Sequence, residues 1–97
     1  MSVILINPFE VPRGQEEACL RLWERTRDYM ARQPGYLGTQ LHRALSPDAR
    51  FTFINIAEWE SAEHFYAAVR REEFAQLTAG SMAQFPHYPG LYEVIRT

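Results

Sequence analysis

The sequence is poor in the residues that build most catalytic centres. It has one cysteine, Cys19, which excludes an internal disulfide framework and fits a reducing cytoplasm. Its three histidines, His42, His64 and His87, lie far apart and show no metal-ligand spacing, so no metal is expected. No Gly-rich phosphate loop, nucleophile elbow or H-E-x-x-H motif occurs. Lys and Arg number 10 against 12 Asp and Glu. No basic run stands out, and nucleic acid is not an expected partner. An apolar run of about 20 residues, as a membrane helix needs, is missing. The opening Met1-Ser2-Val3-Ile4-Leu5-Ile6 has neither a basic flank nor a small-residue cleavage site, so it does not read as a signal peptide.

What the chain does have is apolar and aromatic side chains, 46% and 13% of its 97 residues. That suits one densely packed domain over residues 1–97 and argues against disorder. Ser2 to Phe9 reads as a strand, stopped by Pro8 and Pro12. A helix follows from Gly14 to about Arg32, with Cys19, Leu22, Trp23, Thr26, Tyr29 and Met30 on one stripe. Gln33-Pro34-Gly35 ends it. Tyr36–Leu45 and Phe51–Trp59 read as strands joined by the turn residues Ser46-Pro47-Asp48-Ala49, an antiparallel hairpin. Ser61 is an N-cap for a second helix, with Ala62, Phe65, Val69, Phe74 and Leu77 on its apolar stripe and Gly80 at its end. Residues 81–90 read as a loop and Leu91–Arg96 as a fourth strand.

The order β-α-β-β-α-β predicts an α+β, ferredoxin-like sandwich with an antiparallel sheet and both helices on one face. The other face should then alternate apolar with polar. It does not: Val3 and Leu5 oppose Ile4 and Ile6, while Phe51, Phe53, Asn55, Ala57 and Trp59 oppose Thr52, Ile54 and Ile56. A second subunit is the simplest cover, so a homodimer through the sheet face is expected. The plain alternative is β-propensity in short strands.

One polar residue interrupts the third strand. Asn55 shares a face with Phe51, Phe53 and Trp59, and a buried amide without a partner costs about 1–3 kcal/mol. Either a neighbour such as Gln40 satisfies it, or it orients a ligand oxygen in an aromatic-walled pocket. In a regular hairpin Tyr36, Gln40 and His42 share that face, and His42 is the nearest base. Asn7 is either a turn residue before Pro8 or a second polar group for the same ligand. Cys19, on the helix stripe, reads as a buried structural thiol.

The segment Phe53-Ile54-Asn55-Ile56-Ala57-Glu58-Trp59-Glu60-Ser61, with Phe65, Phe74 and the Gln33-Pro34-Gly35-Tyr36 turn, resembles the antibiotic-biosynthesis monooxygenase family. The resemblance implies a dimeric α/β-barrel, in some members oxidising polyketide phenols or quinols with O₂ and no cofactor. It implies Asn55 and Trp59 as catalytic residues. Asn7, His42, Phe53, Phe65, Tyr66 and Phe74 are the expected substrate contacts. The family tyrosine falls at Phe65, one place before Tyr66, and a family arginine has no clear counterpart. A haem-degrading branch carries an early Asn, matched by Asn7, but its Trp and His fall at Ala68 and Thr78. The expected activity is thus a cofactor-independent monooxygenation. A non-catalytic small-molecule-binding dimer and, further off, a haem protein are the alternatives.

Overall fold

The computed structural model describes residues 2–79 and 84–97. The elements follow in the order β1 (Val3–Phe9), α1 (Glu16–Met30), β2 (Tyr36–Arg43), β3 (Phe53–Trp59), α2 (Ala62–Arg70), α3 (Glu72–Thr78) and β4 (Gly90–Tyr92). Every strand pair is antiparallel, and the sheet order is β2-β3-β1-β4. This is the ferredoxin-like arrangement that the sequence order predicts.

Local chemistry explains the joints. Gly35 has φ +89°, and a Cβ there would collide with the His64 ring, so the turn into β2 admits only glycine. Ser61 caps α2, its Oγ accepting from the His64 N–H at 3.2 Å. Tyr29 donates its hydroxyl to the Ala68 carbonyl at 2.7 Å and so ties α1 to α2.

Three expectations need correction. First, the second helix is broken. Arg71 is extended (ψ 144°) and separates α2 from α3. In a continuous helix Phe74 would lie roughly 140° around the axis from Val69, because each residue turns about 100°. Glu72 and Glu73 would take the inward positions instead. The break returns Phe74 to the face of Phe65 and Val69, and all three line one cavity. Gly80 and residues 81–83 lie outside the described residues.

Second, the hairpin is irregular. A bulge between Tyr36 and Gly38 shifts the register, so Tyr36 pairs with Trp59, Thr39 with Ala57 and Leu41 with Asn55. One extra residue reverses every later side chain. Gln40 and His42 therefore stand opposite Ile56 and Ile54 on the outer face, not beside Asn55. Third, β4 covers only Gly90–Tyr92, and Val94 and Ile95 are exposed.

The core is in two parts. Phe9, Cys19, Leu22, Phe53 and Phe85 pack at one end of the sheet. Leu5, Ala57, Trp59 and Ala68 pack at the other. A cavity separates them beneath α1, α2 and α3.

Candidate active site

The cavity has a volume of about 420 Å³ and walls that are mainly aliphatic and aromatic, the character of a small-molecule pocket. Its floor is the β1–β3 pair, in which Asn7 stands directly opposite Asn55. Residues four apart on a strand share a face, and Trp59 lies about 13 Å along β3 from Asn55 at ~3.3 Å per residue. Trp59 is 1% exposed. Its ring meets Tyr36 and Phe65 edge-on, each at 5.6 Å between centroids.

Asn55 is held by two donors. The Trp23 indole N–H reaches its Oδ1 at 3.2 Å, and the Thr39 hydroxyl reaches the same oxygen at 2.6 Å. An atom that receives two donors must be the carbonyl oxygen, so the network itself assigns the amide orientation. The Nδ2 hydrogens are left without a protein acceptor among the described residues. On two of the residues that line the cavity, a polar atom is buried and lacks a partner among the described residues, Asn7 Oδ1 and Trp59 Nε1. Native proteins leave few such atoms unpaired, since each costs about 1–3 kcal/mol. Their gathering in one apolar cavity fits a ligand with oxygen substituents.

The cavity brings together Asn7, Asn55, Trp59, Phe65 and Phe74 of the residues expected from sequence. It does not include three others. Phe53 faces the helices but is sealed in the core with Phe9 and Phe85. Tyr66 is 44% exposed and carries Arg70 over its ring at 5.5 Å. His42 is on the outer face, its Nδ1 3.3 Å from the Ile54 carbonyl oxygen, so the bulge removes it as a base. Gln40 likewise cannot satisfy Asn55, and Thr39 does so instead.

Sequence reasoning missed four contributors. Trp23 was on the apolar stripe of α1, yet nothing in the pattern tied its N–H to Asn55. Thr39 needed the bulge. Arg27 lines the cavity with its guanidinium 5.1 Å from the Trp23 ring. His87 arrives from the segment before β4, which pairs with β1 through Phe9. No carboxylate lines the cavity among the described residues. Burial raises the Cys19 thiol to about 11, and it raises the Tyr36 phenol above its ordinary value against the opposing pull of Arg27. Neither group ionises readily near neutrality.

An antiparallel sheet, its covering helices and a cavity of ligand size with a held amide define a ferredoxin-like domain with a candidate small-molecule site. Residues 2–80 match the model of the antibiotic biosynthesis monooxygenase family, and the chain belongs to that family. A candidate monooxygenase from Shewanella loihica PV-4 is 44% identical over 99% of this chain and 96% of its own, with a TM-score of 0.87. SnoaB, a cofactor-independent oxygenase from Streptomyces nogalater, is 27% identical over 99% of this chain and 95% of its own, with a TM-score of 0.84. MhuD, crystallised as a variant with two manganese protoporphyrin IX molecules per active site, is 28% identical over 98% and 96%, with a TM-score of 0.74. No curated protein sequence matches the chain.

Proposed function

We propose that this protein is a cofactor-independent monooxygenase that oxidises a small aromatic phenol or quinol with O₂, and that it works as a homodimer through the outer sheet face. One observation carries the reading: an asparagine amide in an apolar cavity, its oxygen pinned by Trp23 and Thr39 and its N–H₂ left for a ligand oxygen.

A phenol must become a phenolate before it can pass an electron to O₂. Its pKa near ~10 makes that deprotonation cost roughly 4 kcal/mol at pH 7. The Asn55 Nδ2–H group, aimed at the developing oxyanion in a water-poor cavity, offsets about 1–3 kcal/mol of it. Pinning by two donors means the amide need not reorganise as charge develops, which is where such stabilisation arises. The phenolate gives one electron to O₂, and the radical pair combines at a ring carbon. Protonation yields a hydroperoxide. Loss of the ring hydrogen with the distal oxygen then releases water and leaves a quinone, so one phenol and one O₂ become one quinone and one water. Trp59 walls the ring binding space. Phe65 and Phe74 complete the aromatic wall, and Asn7 adds a second amide beside Asn55.

The outer face supports the dimer. Ile4, Ile6 and Ile54 share it with the exposed Ile56, and no helix of the described chain covers them. Oxygen uptake with a dihydroxynaphthalene tests the activity. Uptake above the spontaneous rate, lost in Asn55→Ala, is expected; equal rates with and without protein would overturn the reading. A porphyrin ligand is the second reading, favoured by the likeness to MhuD and by a histidine in the cavity. Haem titration giving a shifted Soret band at stoichiometric protein would support it over the first.

A further inference from the structure

If the cavity oxidises a phenol, it needs a group to take the proton, and His42 is turned away from it. The titratable side chains on the cavity wall are Cys19 and Arg27 on α1, Tyr36 on β2 and His87. Arg27 does not deprotonate in the working range. Burial holds both the Cys19 thiol and the Tyr36 phenol in their protonated forms. Histidine is the side-chain type that exchanges protons between about pH 5 and 8.

We propose that His87 is the general base that takes the phenolic proton, through its Nε2, in the reaction read above. Its Nδ1 lies 2.9 Å from the Phe85 carbonyl oxygen. A carbonyl oxygen only accepts, so Nδ1 carries the hydrogen of the neutral ring and Nε2 keeps its lone pair. The ring is stacked on Phe9, 5.6 Å between centroids with planes 22° apart. Phe9 lies two residues from Asn7 on the same face of β1, about 7 Å along the strand. His87 lines the same cavity as Asn7 and Asn55, and a base there acts on the phenol oxygen directly or through one water.

The segment that carries His87 is held at several points. Phe9 and His87 form a β-bridge. The Tyr88 N–H donates to the Pro8 carbonyl at 3.1 Å, and the Glu10 N–H donates to the Pro86 carbonyl at 2.8 Å. Phe85 is 2% exposed in the core. On the outer side the Tyr88 hydroxyl and the Arg50 guanidinium both bond the Glu10 carboxylate, at 2.9 and 3.0 Å. These bonds hold Glu10 below the usual carboxylate range, so the flanking charges are already paired.

The proton balance closes. Nε2 takes the phenolic proton and becomes imidazolium, and that proton later passes to the peroxide oxygen before water leaves. Nε2 then returns to the neutral form.

The test uses the whole chain, with His87→Asn beside His87→Ala. Asparagine keeps a donor for the Phe85 carbonyl and removes the base, and circular dichroism checks that each variant folds. Oxygen uptake with a dihydroxynaphthalene should fall by about 10²-fold or more in both variants, with KM changed little. The acid limb of the pH profile should vanish, and added imidazole should restore the rate of His87→Ala but not of Asn55→Ala. Wild-type rates and an unchanged profile in His87→Asn would overturn the assignment. A nitrophenol supplies a readout that needs no O₂, because its phenolate band reports where the proton sits. Bound nitrophenol should ionise at lower pH with wild-type protein than with His87→Asn. If wild-type protein oxidises no quinol yet shows this difference, the monooxygenase reading fails and His87 as a base stands. If bound nitrophenol titrates alike in both, His87 is not the base.

Discussion

On the helix-covered face of the sheet Asn7 stands opposite Asn55. One residue away, on the other face, Ile6 stands opposite Ile56. The two faces are built from the same two strands and are similarly apolar, yet their polar atoms behave differently. Inside, the Asn55 oxygen takes two donors while Asn7 Oδ1 and Trp59 Nε1 stay unpaired among the described residues. Outside, Glu58 of β3 and Gln40 and His42 of the neighbouring β2 are exposed. An apolar face whose polar side chains are exposed is a packing surface. An apolar face with a rigidly aimed amide and unpaired buried polar atoms has the makings of a chemical site.

The largest expected effect is on the inner face. Asn55→Ala should lower quinol-dependent oxygen uptake by about 10²–10³-fold, the loss typical of one oxyanion donor, with far-UV circular dichroism unchanged. Equal turnover in the variant would erase the chemical difference between the faces. Next comes the outer face. Ile54→Asp should convert a dimer into an 11.3 kDa monomer in sedimentation velocity at micromolar protein, because a charge would be buried at the contact. A monomeric wild type would show instead that this face needs no partner.

A smaller change probes what keeps the faces apart. Gly38 has φ +154°, beside the bulge. Gly38→Ala has space for its Cβ but not the backbone freedom, and chemical denaturation should show a loss of about 1–3 kcal/mol. A variant as stable as wild type would mean that the bulge does not depend on glycine. The smallest effect concerns Cys19. Its thiol titrates at about 11 when folded against 9.0 as the unperturbed value. The unfolded chain therefore loses the proton first, and folding stability should decline as pH rises from about 9 to about 11. The same burial predicts slow modification by iodoacetamide at pH 8, and labelling at the rate of a free thiol would contradict it.

Much of the fold was legible because its signals are local. A 3.6-residue stripe, two-residue alternation, a Pro-Gly stop and a serine cap each act within a few residues of their cause. The polar interruption at Asn55 was visible for the same reason, as was its face, shared with Trp59. The partners of Asn55 were not visible. They come from an indole on α1 and a hydroxyl on β2, and neither can be inferred without the register. Phe53 was placed on the right face yet lies beyond the end of the cavity, sealed by Phe85 from a segment more than thirty residues later. Facing inward is a local property, while lining a void depends on what packs opposite.

The sequence alone determined the order of the strands, the sheet with helices on one side, and an amide among aromatics. Propensity, periodicity and capping act on neighbouring residues and need no tertiary context. Tertiary structure decided which histidine faces the cavity. A single extra residue in β2 turned His42 outward, because side chains alternate every residue. A β-bridge to Phe9, from a segment that reads as plain loop, set His87 at the cavity wall. Pairing between strands distant in sequence obeys the whole sheet and not the residues beside it, and that is why the places of the two histidines were hidden until the chain folded.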